Sequence, residues 1–222
     1  MNHQPALVAL MVTVAVAGTP SASRQDAGDF ARALQKKYGT VRDFSAEFVH
    51  TYEGGVLKQK ATERGTVLIK KPGKMRWTYT HPEEKLFVSD GVKLYSYIKA
   101  DRQVTVSALP REDQATTAIL FLAGKGDLAR DFAVDYTQVP GAPPDTVGLK
   151  LVPKTRQAEY ESLLLAVDRD TLRLRTLVTV DQQGGTSTFN FANLKENVGI
   201  PDKSFAFTPP RGVDVIGSSH AP

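Results

Sequence analysis

The side chains best suited to proton transfer or metal ligation in these 222 residues are four histidines, His3, His50, His81 and His220, none of them at a metal-ligand spacing. No cysteine is present to act as a nucleophile. The G-x-S-x-G elbow, the H-E-x-x-H helix and the Walker phosphate loop are all missing. Ser89-Asp90-Gly91 sets a hydroxyl beside a carboxylate, yet it reads as a hairpin turn. Asp168-Arg169-Asp170 is too short for a calcium loop, and Glu83-Glu84 are ordinary exposed charges. The expectation is a protein that is not an enzyme and needs no cofactor or metal.

What the chain does carry is apolar periodicity. Residues 65–97 (GTVLIKKPGKMRWTYTHPEEKLFVSDGVKLYSY) read as four strands broken at Lys71-Pro72-Gly73, His81-Pro82 and Asp90-Gly91. Val67, Ile69, Met75, Trp77, Tyr79, Phe87, Tyr95 and Tyr97 recur at every second position, which gives a twisted antiparallel sheet with one apolar face. Residues 29–38 read as a helix with Phe30, Ala33, Leu34 and Tyr38 on one face, and Gly39 as its left-handed stop. Residues 44–51 return to period two, with Phe44, Ala46 and Phe48 on one side. Residues 114–123 hold an apolar helical segment, Ile119, Leu120, Phe121 and Leu122. Further strands are expected at 103–109, 146–152, 160–167, 172–180 and 186–191, and a final apolar pair at Phe205 and Phe207.

About ten strands in one continuous meander must curl. The expected fold is a mainly β single domain, an incomplete antiparallel barrel lidded by helices over an apolar hollow.

Composition narrows the setting. Net charge is +4, with basic residues dispersed among acids, so a nucleic-acid partner has no support. The twelve apolar residues at 6–17 are too short to span a bilayer and are followed by small residues, so residues 1–23 read as a signal peptide even though residues 1–5 lack Lys and Arg. Residues 24–222 would then be the mature domain, soluble and monomeric in the periplasm. The lack of cysteine removes both disulfides and a lipid anchor.

Three pieces taken in order, 65–79, 82–97 and the terminal FAFTPPRGV at 205–213, resemble the periplasmic outer-membrane lipoprotein carrier (LolA) family. The resemblance covers residues 29–215. It implies a carrier that receives acylated lipoproteins from an ATP-driven extractor in the inner membrane and passes them to an outer-membrane acceptor. It also implies that Phe30, Leu34, Phe44, Phe48, Val67, Ile69, Met75, Trp77, Tyr79, Phe87, Tyr95, Tyr97 and residues 119–122 line an acyl-chain cavity. The family's latching arginine falls at Lys71, which lacks the forked donor set, and Arg76 is a second candidate for that role. Residue by residue, the same alternation would also serve an ordinary barrel core. A periplasmic lipid- or lipoprotein-sensing module on the same half-barrel is the alternative function, and a partner protein using only its sheet edge is a third class.

Overall fold

A computed structural model describes residues 26–56, 58–108, 126–158 and 160–217. The first helix, α1 (Ala27–Thr40), starts where the Asp26 carboxylate accepts the Gly28 N–H at 3.3 Å. Its buried stripe is Ala27, Phe30, Ala31, Leu34 and Tyr38; Ala33, expected on that face, is only half-buried beside it. Gly39 does not end it. The helix runs through Thr40, and Val41 turns extended while donating its N–H to the Tyr38 carbonyl at 3.3 Å.

Twelve strands follow among the described residues: β1 (Asp43–Glu53), β2 (Lys60–Lys70), β3 (Lys74–His81), β4 (Lys85–Asp90), β5 (Lys93–Ile98), β6 (Gln103–Ala108), β7 (Phe132–Tyr136), β8 (Thr146–Pro153), β9 (Ser162–Asp168), β10 (Leu174–Val180), β11 (Thr186–Glu196) and β12 (Asp214–Gly217). A one-turn helix, α2 (Leu128–Asp131), precedes β7, and a 3-10 turn occupies Asp202–Phe205. The strands make one sheet in the order β12-β6-β5-β4-β3-β2-β1-β11-β10-β9-β8-β7, open at β12 and β7. The protein is thus a single mostly β domain built on an unclosed sheet.

The connectivity differs from a single meander. Two meanders, β1–β6 and β7–β11, join where β1 pairs with β11, with Phe48 opposite Phe191. Strands β1 and β11 are eleven residues each, and both present alternating phenylalanines. Strand β12 pairs parallel to β6; every other pairing is antiparallel. The turns behave as the sequence indicates. The Asp90 carboxylate accepts the N–H groups of Val92 and Lys93 at 2.8 Å, and Gly91 takes φ +103.

Gly65 is among the positions that need glycine for space. A Cβ on Gly65 would stand 2.0 Å from the Thr78 carbonyl oxygen and 2.8 Å from the Phe48 ring. The register slips by a residue between Arg64 and Gly65 at this point. The phenyl ring of Phe48 fills the space where a side chain would otherwise project.

The two faces of the sheet are covered differently. On the inner face, α1 packs into one buried cluster with the strands. On the outer face lies the chain after β11, anchored by Phe205, which is 1% exposed. The carboxylate of Asp202 reaches Lys70 at 2.6 Å and Lys74 at 2.8 Å, and Lys70 also donates to the Ile200 carbonyl at 2.8 Å.

Candidate functional site

The inner face divides into an aliphatic half and an aromatic half. Leu149, Leu151, Leu163, Leu165, Val167 and Leu177 make the first, from β8, β9 and β10. Phe48 centres the second, with ring centroids 5.1 Å from Trp77, 4.9 Å from Tyr79 and 5.8 Å from Phe189. Tyr79 continues to Phe87 at 5.7 Å, and Phe189 to Phe191 at 6.3 Å. Apart from the stacked Phe189–Phe191 pair, these contacts are edge-to-face or tilted, the arrangements that ring quadrupoles favour. Trp77 is 3% exposed, and its indole Nε1 has no hydrogen-bond partner among the described residues.

Helix α1 lies across this face. Phe30 meets Tyr136 of β7 edge-on at 6.4 Å. The Tyr38 hydroxyl accepts the Leu174 N–H at 3.1 Å, and burial pushes that phenol above its ordinary range. The Gln35 amide oxygen accepts the Leu128 N–H at 3.1 Å, and Lys37 pairs with Glu196 at 2.6 Å. Lys71 donates from Nζ to the Tyr38 carbonyl in the last turn of the helix, where a cation also meets the negative end of the dipole. Burial lowers the pKa of Lys71 below the usual lysine value.

At one end of the aromatic half sits a partly buried polar group. The imidazole of His50 stacks on Phe189 with centroids 4.1 Å apart. Its Nδ1 faces Glu63 Oε2 at 3.1 Å and its Nε2 faces Ser187 Oγ at 2.8 Å. The other oxygen of Glu63 accepts from Lys85 at 2.5 Å. Burial lowers the His50 pKa against the opposing pull of Glu63. Burial would raise Glu63, but hydrogen bonds from Lys85 and His50 hold it below the usual carboxylate value. Desolvation, and then the Glu63 charge, push the Tyr79 phenol up. Among the described residues no group of His, Asp and Glu is placed to hold a metal ion, and no helix is long and apolar enough to cross a membrane.

Residues 39–208 match the family described as outer membrane lipoprotein carrier protein LolA. The chain belongs to this family. The LolA match starts at the penultimate residue of α1 and takes in β1 through β11 and the Asp202–Phe205 turn. An outer-membrane lipoprotein carrier protein of Nitrosomonas europaea is 32% identical over 185 residues, 83% of this chain and 87% of the relative. One of Methylococcus capsulatus is 31% identical over 198 residues, covering 89% and 88%. In three dimensions, an uncharacterized conserved protein of Thermus thermophilus shares the fold, with TM-score 0.53 and 12% identity over 85% of this chain and 98% of that one.

On this LolA-family sheet, Phe30, Leu34, Phe44, Phe48, Val67, Ile69, Met75, Trp77 and Tyr79 come together in the inner cluster, with Phe87 packed against it. Tyr95 and Tyr97 do not join them. In register, Trp77 faces Phe87, and Phe87 faces Ser96, so the flanking tyrosines point to the outer face. There they meet Phe207, at 5.6 and 6.0 Å. Arg76 shares that outer face, 3.4 Å from the carbonyls of Ser204 and Ala206 and away from α1. Residues 119–122 lie outside the described residues. The face on which the hollow is expected is buried, its cluster residues at most 8% exposed.

Sequence patterning leaves two parts of the site unassigned. Phe189 and Phe191, and the leucines of β8–β10, lie on strands that the alternation marks without saying which face they share. The polar group is legible in one respect. Pairing the strands across the turn that follows Glu53 sets His50 opposite Glu63, as β1 and β2 do.

Proposed function

We propose that this protein is a periplasmic carrier that takes the acyl chains of lipoproteins against its inner face and conveys them from the inner to the outer membrane. It would receive them from an ATP-driven extractor and deliver them to an outer-membrane acceptor, entering the periplasm by a signal peptide at residues 1–23. The observation that carries this reading is a helix packed on an apolar sheet face. Helix α1 shares one buried cluster with the inner face, and Lys71 donates a side-chain hydrogen bond to the Tyr38 carbonyl in its last turn.

The energies suit an exchange. Burial of Phe30, Leu34 and Tyr38 contributes on the order of 5–9 kcal/mol to closure. One long acyl chain brings on the order of 10 kcal/mol of hydrocarbon burial. With the two so close, an acyl chain can displace the helix and a membrane or acceptor can take the chain back. Rings in edge contact and the adaptable Met75 can shift around a guest.

Native mass spectrometry of the mature protein with a diacylated lipopeptide tests this. A soluble one-to-one complex that disappears when lipid vesicles are added is the expected result. Protein that remains free at every lipopeptide concentration overturns the reading.

A further inference from the structure

Hydrocarbon alone has no use for hydrogen-bond donors, yet the aromatic half of the inner face contains several. The indole Nε1 of Trp77 is buried and unpartnered among the described residues. Along the same face of β3, two residues on and about 7 Å away, stands Tyr79, and opposite Tyr79 in register stands Lys85. The His50 ring is 6.1 Å from that of Tyr79 and closes the group with Glu63 and Ser187. An apolar surface therefore ends in a short row of polar side chains, preceded by one isolated donor.

We infer that this row is the seat for the carbonyl-bearing head of an acylated ligand, with Trp77 Nε1 donating to an ester or amide carbonyl and the Lys85, His50 and Ser187 group receiving the glycerol ester beyond it. The inference rests on the carrier reading and assigns which end of the cargo lies where: the head toward Lys85, the hydrocarbon toward Met75 and α1. The charges favour a neutral head. Lys85 is already neutralised by Glu63 at 2.5 Å, so the group offers no free cation for a phosphate or a fatty carboxylate. An indole N–H donates only, so its natural partner is a carbonyl oxygen. A buried donor without a partner disfavours the closed arrangement, and an arriving carbonyl removes that penalty only when the site is loaded.

The test compares two fluorescent lipopeptides of equal chain length, one with ester-linked chains and one with ether-linked chains, by fluorescence anisotropy. The ester should bind about tenfold more tightly, the worth of one buried hydrogen bond. Trp77→Phe, which keeps an aromatic ring and removes the donor, should abolish that preference, so that ester and ether bind alike. Lys85→Met provides an independent variant should the first fail to fold, and should narrow the preference in the same way. A short-chain phosphatidylglycerol and its ether analogue identify the source. Ester preference in both series places recognition in the glycerol ester; preference in the lipopeptide alone places it in the acylated cysteine, and either result supports the seat. Equal binding of ester and ether, or a preference that survives both substitutions, overturns it while leaving the carrier reading intact. Absence of binding by every compound overturns the carrier reading and the seat together.

Discussion

Helix α1 and the segment after β11 cover opposite faces of one sheet, and they are fastened in different ways. The outer segment is tied along its whole length. The carboxylate of Asp43 accepts the Val198 and Gly199 N–H groups at 2.8 and 3.1 Å, and Lys70 and Lys74 hold Asp202. Phe205 is buried, Arg102 donates to the Gly212 carbonyl at 2.8 Å, and the segment ends as a strand of the sheet itself. Polar ties between α1 and the rest of the fold cluster in its second half, at Gln35, Lys37 and Tyr38. Phe30, Ala31 and Leu34 are held by apolar contact. Among the described residues, the outer cover is thus part of the sheet, while the polar ties of the inner cover gather at one end. On the carrier reading, that asymmetry would let the helix pivot about residues 35–41 without loosening the strands beneath it.

The comparison breaks first at Phe205. Phe205→Ala should destabilise the whole domain by about 3–5 kcal/mol, as for other fully buried aromatics, read from the urea midpoint of unfolding. A loss below about 1 kcal/mol would mean that the outer segment is as loosely held as α1. Lys71→Leu should act on the inner cover alone. It removes a charge-assisted hydrogen bond to the helix end, so amide exchange in α1 should speed by about tenfold. Exchange in β12 and in the Asp202–Phe205 turn should stay unchanged. Equal acceleration in both covers would remove the asymmetry.

The smallest effect expected is a pH dependence. Burial holds His50 below its ordinary pKa of 6.5, so on acidification the unfolded chain takes up a proton before the folded one. Stability should therefore fall as pH drops from 6.5 toward the lower folded value. Thermal melts of His50→Gln should lose this slope; an unchanged slope would place the titrating group elsewhere.

How much of this was legible in the sequence depended on the range of the interaction. Strands 65–97 and their turns could be read because period-two alternation and Pro-Gly or Asp-Gly breaks are local. The β1–β11 seam could not, since nothing local tells Phe48 that its partner is Phe191. Alternation also fixes which residues share a face of one strand, but not which face turns inward. Tyr95 and Tyr97 were misplaced for this reason: two large aromatics outweighed Leu94, Ser96 and Ile98, which carry the inner register. That Lys71 should bond to a helix follows from the family pattern; its acceptor, the Tyr38 carbonyl, depends on where α1 ends, one residue past Gly39.

Trp77 is the only tryptophan in the chain, and it stands within the aromatic half of the inner face. Its fluorescence during titration with a diacylated lipopeptide therefore reports directly on whether that face takes up acyl chains. A saturable change in intensity and wavelength that reverses on adding lipid vesicles is the result predicted. Emission that stays constant while the lipopeptide partitions wholly into micelles or vesicles would contradict the account.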